Sequence, residues 1–182
     1  MLILCGASAS GKTELSKLMR HTFGYEKMIT CTTRPQREFE VDGIDYHFLS
    51  EEWFNVLKND GAFIETTQYQ TYQYGTRIQD IHDQAILIVD PKGANAFFDQ
   101  RPHQDMMVLI QSPKDLRRGR MLKREDDIAV IGMRLETDDQ IFDTNQFKHL
   151  DLIINNDNQP LIELAETLHQ VYIKFREDPH AL

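Results

Sequence analysis

Four short, unbroken apolar runs punctuate the chain: "LILC" at 2–5, "AILIV" at 85–89, "MMVLI" at 106–110 and "LII" at 152–154. A strand with one face in water alternates apolar and polar residues, whereas a strand covered on both faces is apolar throughout. These runs therefore predict buried strands. Between them the apolar period becomes helical, in "TELSKLMRHTF" (13–23), "PKDLRRGRMLKR" (113–124), "IAVIGMRLETDDQIF" (128–142) and "PLIELAETLHQVYIKF" (160–175). In the last of these Leu161, Leu164, Leu168 and Tyr172 share a face. Acid stands near its start and Lys174 and Arg176 near its end, the charge order that the helix dipole favours. Strands alternating with helices predict an α/β fold, a parallel sheet flanked by helices on both faces.

Residues 34–76 interrupt this rhythm. They hold "YHFL", then a helix in "SEEWFNVLKND" opened by Ser50 as N-cap with Trp53, Phe54 and Leu57 on one face, then a strand in "AFIETTQY". This is a small α/β insertion. The final "EDPHAL" is expected to fray.

At 182 residues the chain suits a single domain, and 41% apolar with 27% charged residues is the balance of a soluble globular protein. The net charge of −9 argues against a nucleic-acid partner, whose binding rests on phosphate neutralisation over a broad surface. Any phosphate must be held locally. Cys5 and Cys31 lack C-x-x-C spacing or adjacent histidines and are read as buried free thiols, in keeping with a reducing cytosol. No run approaches the ~20 apolar residues of a membrane helix, and "MLILCG" has no basic region ahead of its apolar stretch. The expectation is a soluble cytoplasmic protein, monomer or homodimer, with no membrane partner.

"GASASGKT" at 6–13 fits G-x-x-x-x-G-K-[ST], with an apolar strand before it and a helical pattern after it. Gly6 and Gly11 let the backbone curl so that successive N–H groups face a phosphate. Lys12 reaches the β- and γ-phosphates, and Thr13 offers a hydroxyl to Mg²⁺. Gly6, Ala7, Ser8, Ala9, Ser10, Gly11, Lys12, Thr13 and Glu14 are the expected ATP-binding segment. Asp90 ends the run "AILIV", where a carboxylate at a strand terminus either orients Mg²⁺ beside the loop or caps the next turn.

The stretch "TCTTRPQREFEVDGIDYHF" (30–48) clusters arginines, carboxylates and aromatics. Guanidinium forks pair bidentately with phosphate and phenols add donors, which suits a small anion. Arg34 and Arg37 pairing with Glu38 and Glu40 in solvent is the alternative. Together with the phosphate loop, "FIE" (63–65), "YQYGT" (72–76) and "ILIVD" (86–90) with Gly93, this stretch resembles the guanylate kinase family nearly end to end.

That resemblance implies a single P-loop NTPase domain with a five-stranded parallel core (1–33 and 77–182), an acceptor-binding insertion (about 34–76) and a short lid (about 120–134). It implies Mg²⁺-dependent phosphoryl transfer from ATP to GMP or dGMP. Arg34, Arg37, Tyr46 and Tyr74 match residues that grip the GMP phosphate, Glu65 matches the reader of the guanine edge, and Thr30 and Thr76 place hydroxyls near the base. Arg120, Arg124 and Arg134 would fold over the ATP phosphates and act with Lys12 in catalysis, with Lys123 an alternative to Arg120 or Arg124 in that role. The carboxylates Glu38, Glu40, Asp42 and Asp45 either orient the arginines or shape the turn at Gly43.

Three positions depart from the family pattern: Ile88 stands in place of an acid that helps hold the guanine amine, Phe39 in place of a glycine, and Lys92 in place of a glutamine. The expectation is that GMP remains preferred over AMP with a reduced margin over IMP. Two other readings are a kinase for a different phosphorylated acceptor, such as another nucleoside monophosphate or a sugar phosphate, and a non-catalytic protein-binding domain. Retention of Thr30, Glu65 and Thr76 argues against the first, and an intact "GASASGKT" against the second.

Overall fold

The computed structural model describes residues 1–69 and 71–179. In chain order the elements are β1 (Leu2–Cys5), α1 (Lys12–Phe23), β2 (Glu26–Lys27), β3 (Cys31–Thr32), β4 (His47–Phe48), α2 (Glu51–Asn59), β5 (Phe63–Tyr69) and β6 (Tyr72–Arg77). They continue with β7 (Ala85–Ile88), α3 (Pro91–Gln100), β8 (Met106–Gln111), α4 (Lys114–Lys123), α5 (Ile128–Ile141), β9 (Leu152–Asn155) and α6 (Leu161–Glu177). The tail expected to fray begins at Glu177, still in α6; its last three residues, 180–182, lie outside the described residues.

The four apolar runs form the heart of a five-stranded sheet, ordered β2-β7-β1-β8-β9, in which every pairing is parallel. The pleat explains why the runs are continuous. Leu2 and Leu4 of β1, with Met106, Val108 and Ile110 of β8, pack on Leu15 and Met19 of α1 and on Leu164, Leu168 and Phe175 of α6. Ile3, Cys5, Met107 and Leu109 point the other way, onto Ala94 and Phe97 of α3. Burying each such side chain contributes about 1.5–3 kcal/mol, so a charge at Leu4 or Leu109 would break the layer. Both thiols are buried and free, and burial pushes Cys5 up to about 12 and Cys31 up to about 11.

Two elements of this parallel layer carried no periodic signal. The edge strand β2 has two residues, and α3 opens with a proline and a glycine that mask its apolar face. The start of α3 is nonetheless well specified, because Asp90 accepts the Gly93 N–H at 2.8 Å and Pro91 fills the first turn.

The second sheet, ordered β4-β3-β6-β5, takes in Cys31–Thr32 and carries α2 across it. Ser50 caps α2 as expected, accepting the Trp53 N–H at 3.1 Å. The apolar face differs from the expected one: Phe54 is fully buried and Leu57 packs beside it, but Trp53 is 54% exposed. Among the described residues the buried members of the apolar cluster beneath α2 are Cys31, Phe54 and Phe63, and the Phe54–Phe63 stack, 4.6 Å between centroids, fills it.

Candidate active site

The loop joining β1 to α1 is shaped by its glycines. Gly6 has φ 150° and a Cβ there would lie 2.3 Å from the Ile110 carbonyl oxygen; Gly11 has φ 102° and a Cβ would lie 2.3 Å from Asn156 Nδ2. No side chain caps α1, which leaves its first N–H groups to an anion. Lys12 folds back, its Nζ donating to the carbonyls of Gly6 (2.5 Å) and Ala7 (2.8 Å). Burial lowers its pKa to about 8.

A cavity of about 600 Å³ opens beside the loop, lined by Ala9, Gly11, Lys12, Thr13, Glu14 and Lys17 and, across it, by Arg120, Lys123 and Arg124. Arg120 is fixed at three points: Nη1 donates to the Ala9 carbonyl and to Ser112 Oγ, both at 3.1 Å, and Nη2 donates to Asn156 Oδ1 at 3.3 Å. Asn156 in turn donates to the Ser10 carbonyl at 2.8 Å. This nearly buried asparagine ties arginine to loop and was not singled out from the sequence; its place just past the C-terminal end of β9 is the available signal, because ligands of open α/β sheets gather there. Arg124 lines the cavity together with Arg120, although α4 ends at Lys123, one residue short of the expected helix, and Arg124 is its C-cap. Arg134 is not brought to this cavity. Its Nη1 lies 4.0 Å from Asp126 Oδ2, and the side chain is 44% exposed.

A second cavity, of about 380 Å³, lies between the two sheets. Thr30, Tyr46, Glu65, Thr67 and Tyr74 line it from the second sheet and its connections, with Gly6, Ser8, Lys12, Ile88 and Asp90 from the core. Lys12 faces both cavities. Glu65 Oε1 accepts the Thr76 hydroxyl at 2.7 Å, and burial raises its pKa above the usual carboxylate range. Tyr46 and Tyr74 meet edge to face at 6.1 Å. Thr67 is a lining residue that was not singled out; it sits two residues past Glu65 on β5, so the strand period places both on one face.

Thr30 and Tyr46 of the arginine-rich stretch line this cavity, and neither Arg34 nor Arg37 does. Arg34 lies over Tyr46, its guanidinium carbon 5.6 Å from the ring centroid, and donates to Glu40 Oε1 at 2.6 Å. Arg37 is exposed and its side chain does not line the cavity; its backbone N–H donates to Glu40 Oε2 at 2.8 Å. The carboxylates divide the two expected tasks. Glu40 orients Arg34, while Asp45 accepts the Val41 N–H and Asp42 the Phe48 N–H, which shapes the turn at Gly43.

Two acids remain. Asp90 uses Oδ1 to cap α3 and also lines the second cavity, so capping and cavity lining coexist at this residue. Asp138, from α5, accepts the Ser8 N–H at 2.6 Å, a contact across the phosphate loop that no sequence pattern indicated.

With that geometry in place, the likeness to known proteins is informative. The family model described as "Guanylate kinase" matches residues 1–172. A guanylate kinase of Legionella pneumophila (strain Paris) is 31% identical over 166 residues, covering 86% of this chain and 78% of the relative. One from Helicobacter hepaticus is 31% identical over 185 residues, covering 92% and 90%. Among solved structures, the guanylate kinase of Anaplasma phagocytophilum superposes with a TM-score of 0.68 at 22% identity, covering 96% of this chain and 84% of that one, which shows the same fold. Among the described residues no helix is long and apolar enough to cross a membrane. With its phosphate loop, its covered parallel sheet and its inserted second sheet, this chain belongs to the guanylate kinase family.

Proposed function

We propose that this chain transfers the terminal phosphoryl group of ATP to GMP, giving ADP and GDP, with the donor in the larger cavity and the acceptor in the smaller. The observation that carries this reading is Lys12, whose ammonium borders both cavities at the point where the phosphoryl group would cross. Phosphoryl transfer needs little covalent chemistry from a protein; it needs positioning and compensation of charge.

On the donor side, loop N–H groups would receive phosphate oxygens, and Lys12 would exchange its carbonyl partners for them. Arg120 is already held over the loop by Ala9, Ser112 and Asn156, so it is the lid arginine best placed to meet developing charge. Arg124 lies beside it, and Arg134 would have to swing from Asp126. Thr13, in the first turn of α1, and Asp90, with one oxygen engaged by Gly93, offer the hard oxygen ligands that suit Mg²⁺. When bound, that ion neutralises phosphate charge.

On the acceptor side, Arg34, Arg37, Tyr46 and Tyr74 would hold the GMP phosphate. Glu65 would accept from guanine N1–H and the exocyclic amine; adenine presents a lone pair at N1, and a buried carboxylate facing it is penalised. The Thr76 hydroxyl keeps Glu65 aimed. The acceptor phosphate is itself the nucleophile, so no general base is required. Ile88, 39% exposed on the cavity wall, supplies no acceptor to the guanine amine, which narrows discrimination against IMP.

A coupled ADP-release assay with GMP, dGMP, IMP and AMP tests the assignment. GMP should give the highest kcat/KM, with IMP nearer to it than AMP. Equal turnover of AMP and GMP would overturn the role of Glu65.

A further inference from the structure

Helix α5 sends a carboxylate into the phosphate loop. Asp138 Oδ2 accepts the Ser8 backbone N–H at 2.6 Å, although 130 residues separate the two. The neighbouring Asp139 turns away, onto Lys114 at 3.0 Å and onto Arg117. One turn after Asp138 lies Phe142, whose ring centroid is 5.7 Å from Lys12 Nζ; one turn before it is Arg134. Asp138 is thus the one residue of α5 whose charge is hydrogen-bonded directly to the loop among the described residues.

A carboxylate oxygen on a loop N–H makes the same charge-assisted hydrogen bond that a phosphate oxygen would make there. Two further polar groups of the loop are engaged within it. Lys12 is occupied by the carbonyls of Gly6 and Ala7, and Ser10 N–H by the Ala7 carbonyl at 3.1 Å. At Ser8 the loop therefore already holds an internal anion. Two anions cannot share one N–H, and a carboxylate left beside an arriving phosphate would repel it.

We infer that Asp138 is an internal stand-in for the terminal phosphate of the donor, which must release Ser8 before ATP seats fully. The inference rests on the donor reading of the phosphate loop given above. Asp138 is a gating residue here, not a catalytic one, and its release frees α5, the helix that also carries Arg134 four residues earlier. Donor binding and the approach of Arg134 are then linked through one helix. The energetic consequence is a lowered affinity for ATP in the intact protein, because the bond to Ser8 is broken on binding.

Calorimetric titration of the full chain with Mg²⁺·ATP and with Mg²⁺·ADP tests this on the unaltered protein, Asp138→Asn and Asp138→Ala, with Glu136→Gln as a control that removes an exposed charge from the same helix. Both Asp138 variants should bind ATP more tightly, on the order of tenfold, with a gain for ADP under about threefold and no change in the control. Loss of a merely structural contact would weaken binding instead. Unchanged or weaker ATP binding by both variants, or an equal gain for ADP, would overturn the stand-in role. Failure of the unaltered chain to bind ATP would overturn the donor reading itself, and this inference with it.

Discussion

The phosphate loop is backbone laid on a sheet covered on both faces, whereas the cavity proposed for the acceptor is walled by side chains on a second sheet, whose small apolar cluster has Cys31, Phe54 and Phe63 as its buried members among the described residues. The loop's partners are carbonyls and N–H groups within a few residues of one another, plus Arg120, Asp138 and Asn156 from afar. On the side of the second sheet the cavity is lined by the side chains of Thr30, Tyr46, Glu65, Thr67 and Tyr74. Backbone recognition depends on curvature and tolerates little change at two glycines and a lysine. Side-chain recognition can be retuned one position at a time. The donor side should therefore fail as a unit under substitution, and the acceptor side should change its preference.

Lys12→Met tests the first half of that contrast and should have the largest effect. Removing the only ammonium that borders both cavities among the described residues should lower kcat by about a thousandfold, with the fold retained. A variant that kept full ADP release would refute the mechanism. Glu65→Gln probes the other half. The amide would turn an N–H toward guanine donors, so kcat/KM for GMP should fall about a hundredfold while AMP is little affected. An equal loss for GMP and AMP would mean that Glu65 supports the sheet through Thr76 instead of reading the base.

The same contrast explains what the sequence disclosed. Eight residues of phosphate loop were legible because backbone curvature demands particular residues at fixed spacing, and the sheet was legible because burial on both faces leaves no polar positions in Leu2–Cys5 or Met106–Ile110. Trp53 was misplaced because a nine-residue amphipathic helix over a small core can put one large apolar side chain in water. That Thr30, Glu65 and Tyr74 line one cavity was legible only through a family pattern, since nothing in the chemistry of each alone brings them together. Asn156 and Asp138 escaped notice because their contacts span 146 and 130 residues and follow no local period. Arg34 was read as an anion ligand or as a solvated partner of Glu40; in the structure it is paired with Glu40 and lies over Tyr46, largely out of solvent.

Ile88→Asp should sharpen acceptor preference without touching the donor side. Ile88 lines the same cavity as Glu65, and a carboxylate there would accept from the guanine amine that IMP lacks. The ratio of kcat/KM for GMP to that for IMP should rise about tenfold, within the range set by one added hydrogen bond to a charged group. KM for ATP should stay where it is. A rise in KM for ATP would show that the two cavities are not separable at this wall.

The smallest effect expected is a difference in pH dependence between the two substrates. Burial lowers the pKa of Lys12 to about 8 in the free protein, so its ammonium is present below that pH and lost above it. ATP meets that free form. Its kcat/KM should therefore fall roughly eightfold between pH 7.5 and 9, following loss of the charge. GMP, varied at saturating ATP, meets a protein in which the donor phosphates hold Lys12 charged, and its own contacts rest on Arg34, whose bond to Glu40 raises its pKa further, and on Tyr46, whose pKa burial also raises. Its kcat/KM should stay flat over the same range. Parallel declines for ATP and GMP would place the titrating group on the acceptor side and break the division of labour argued here.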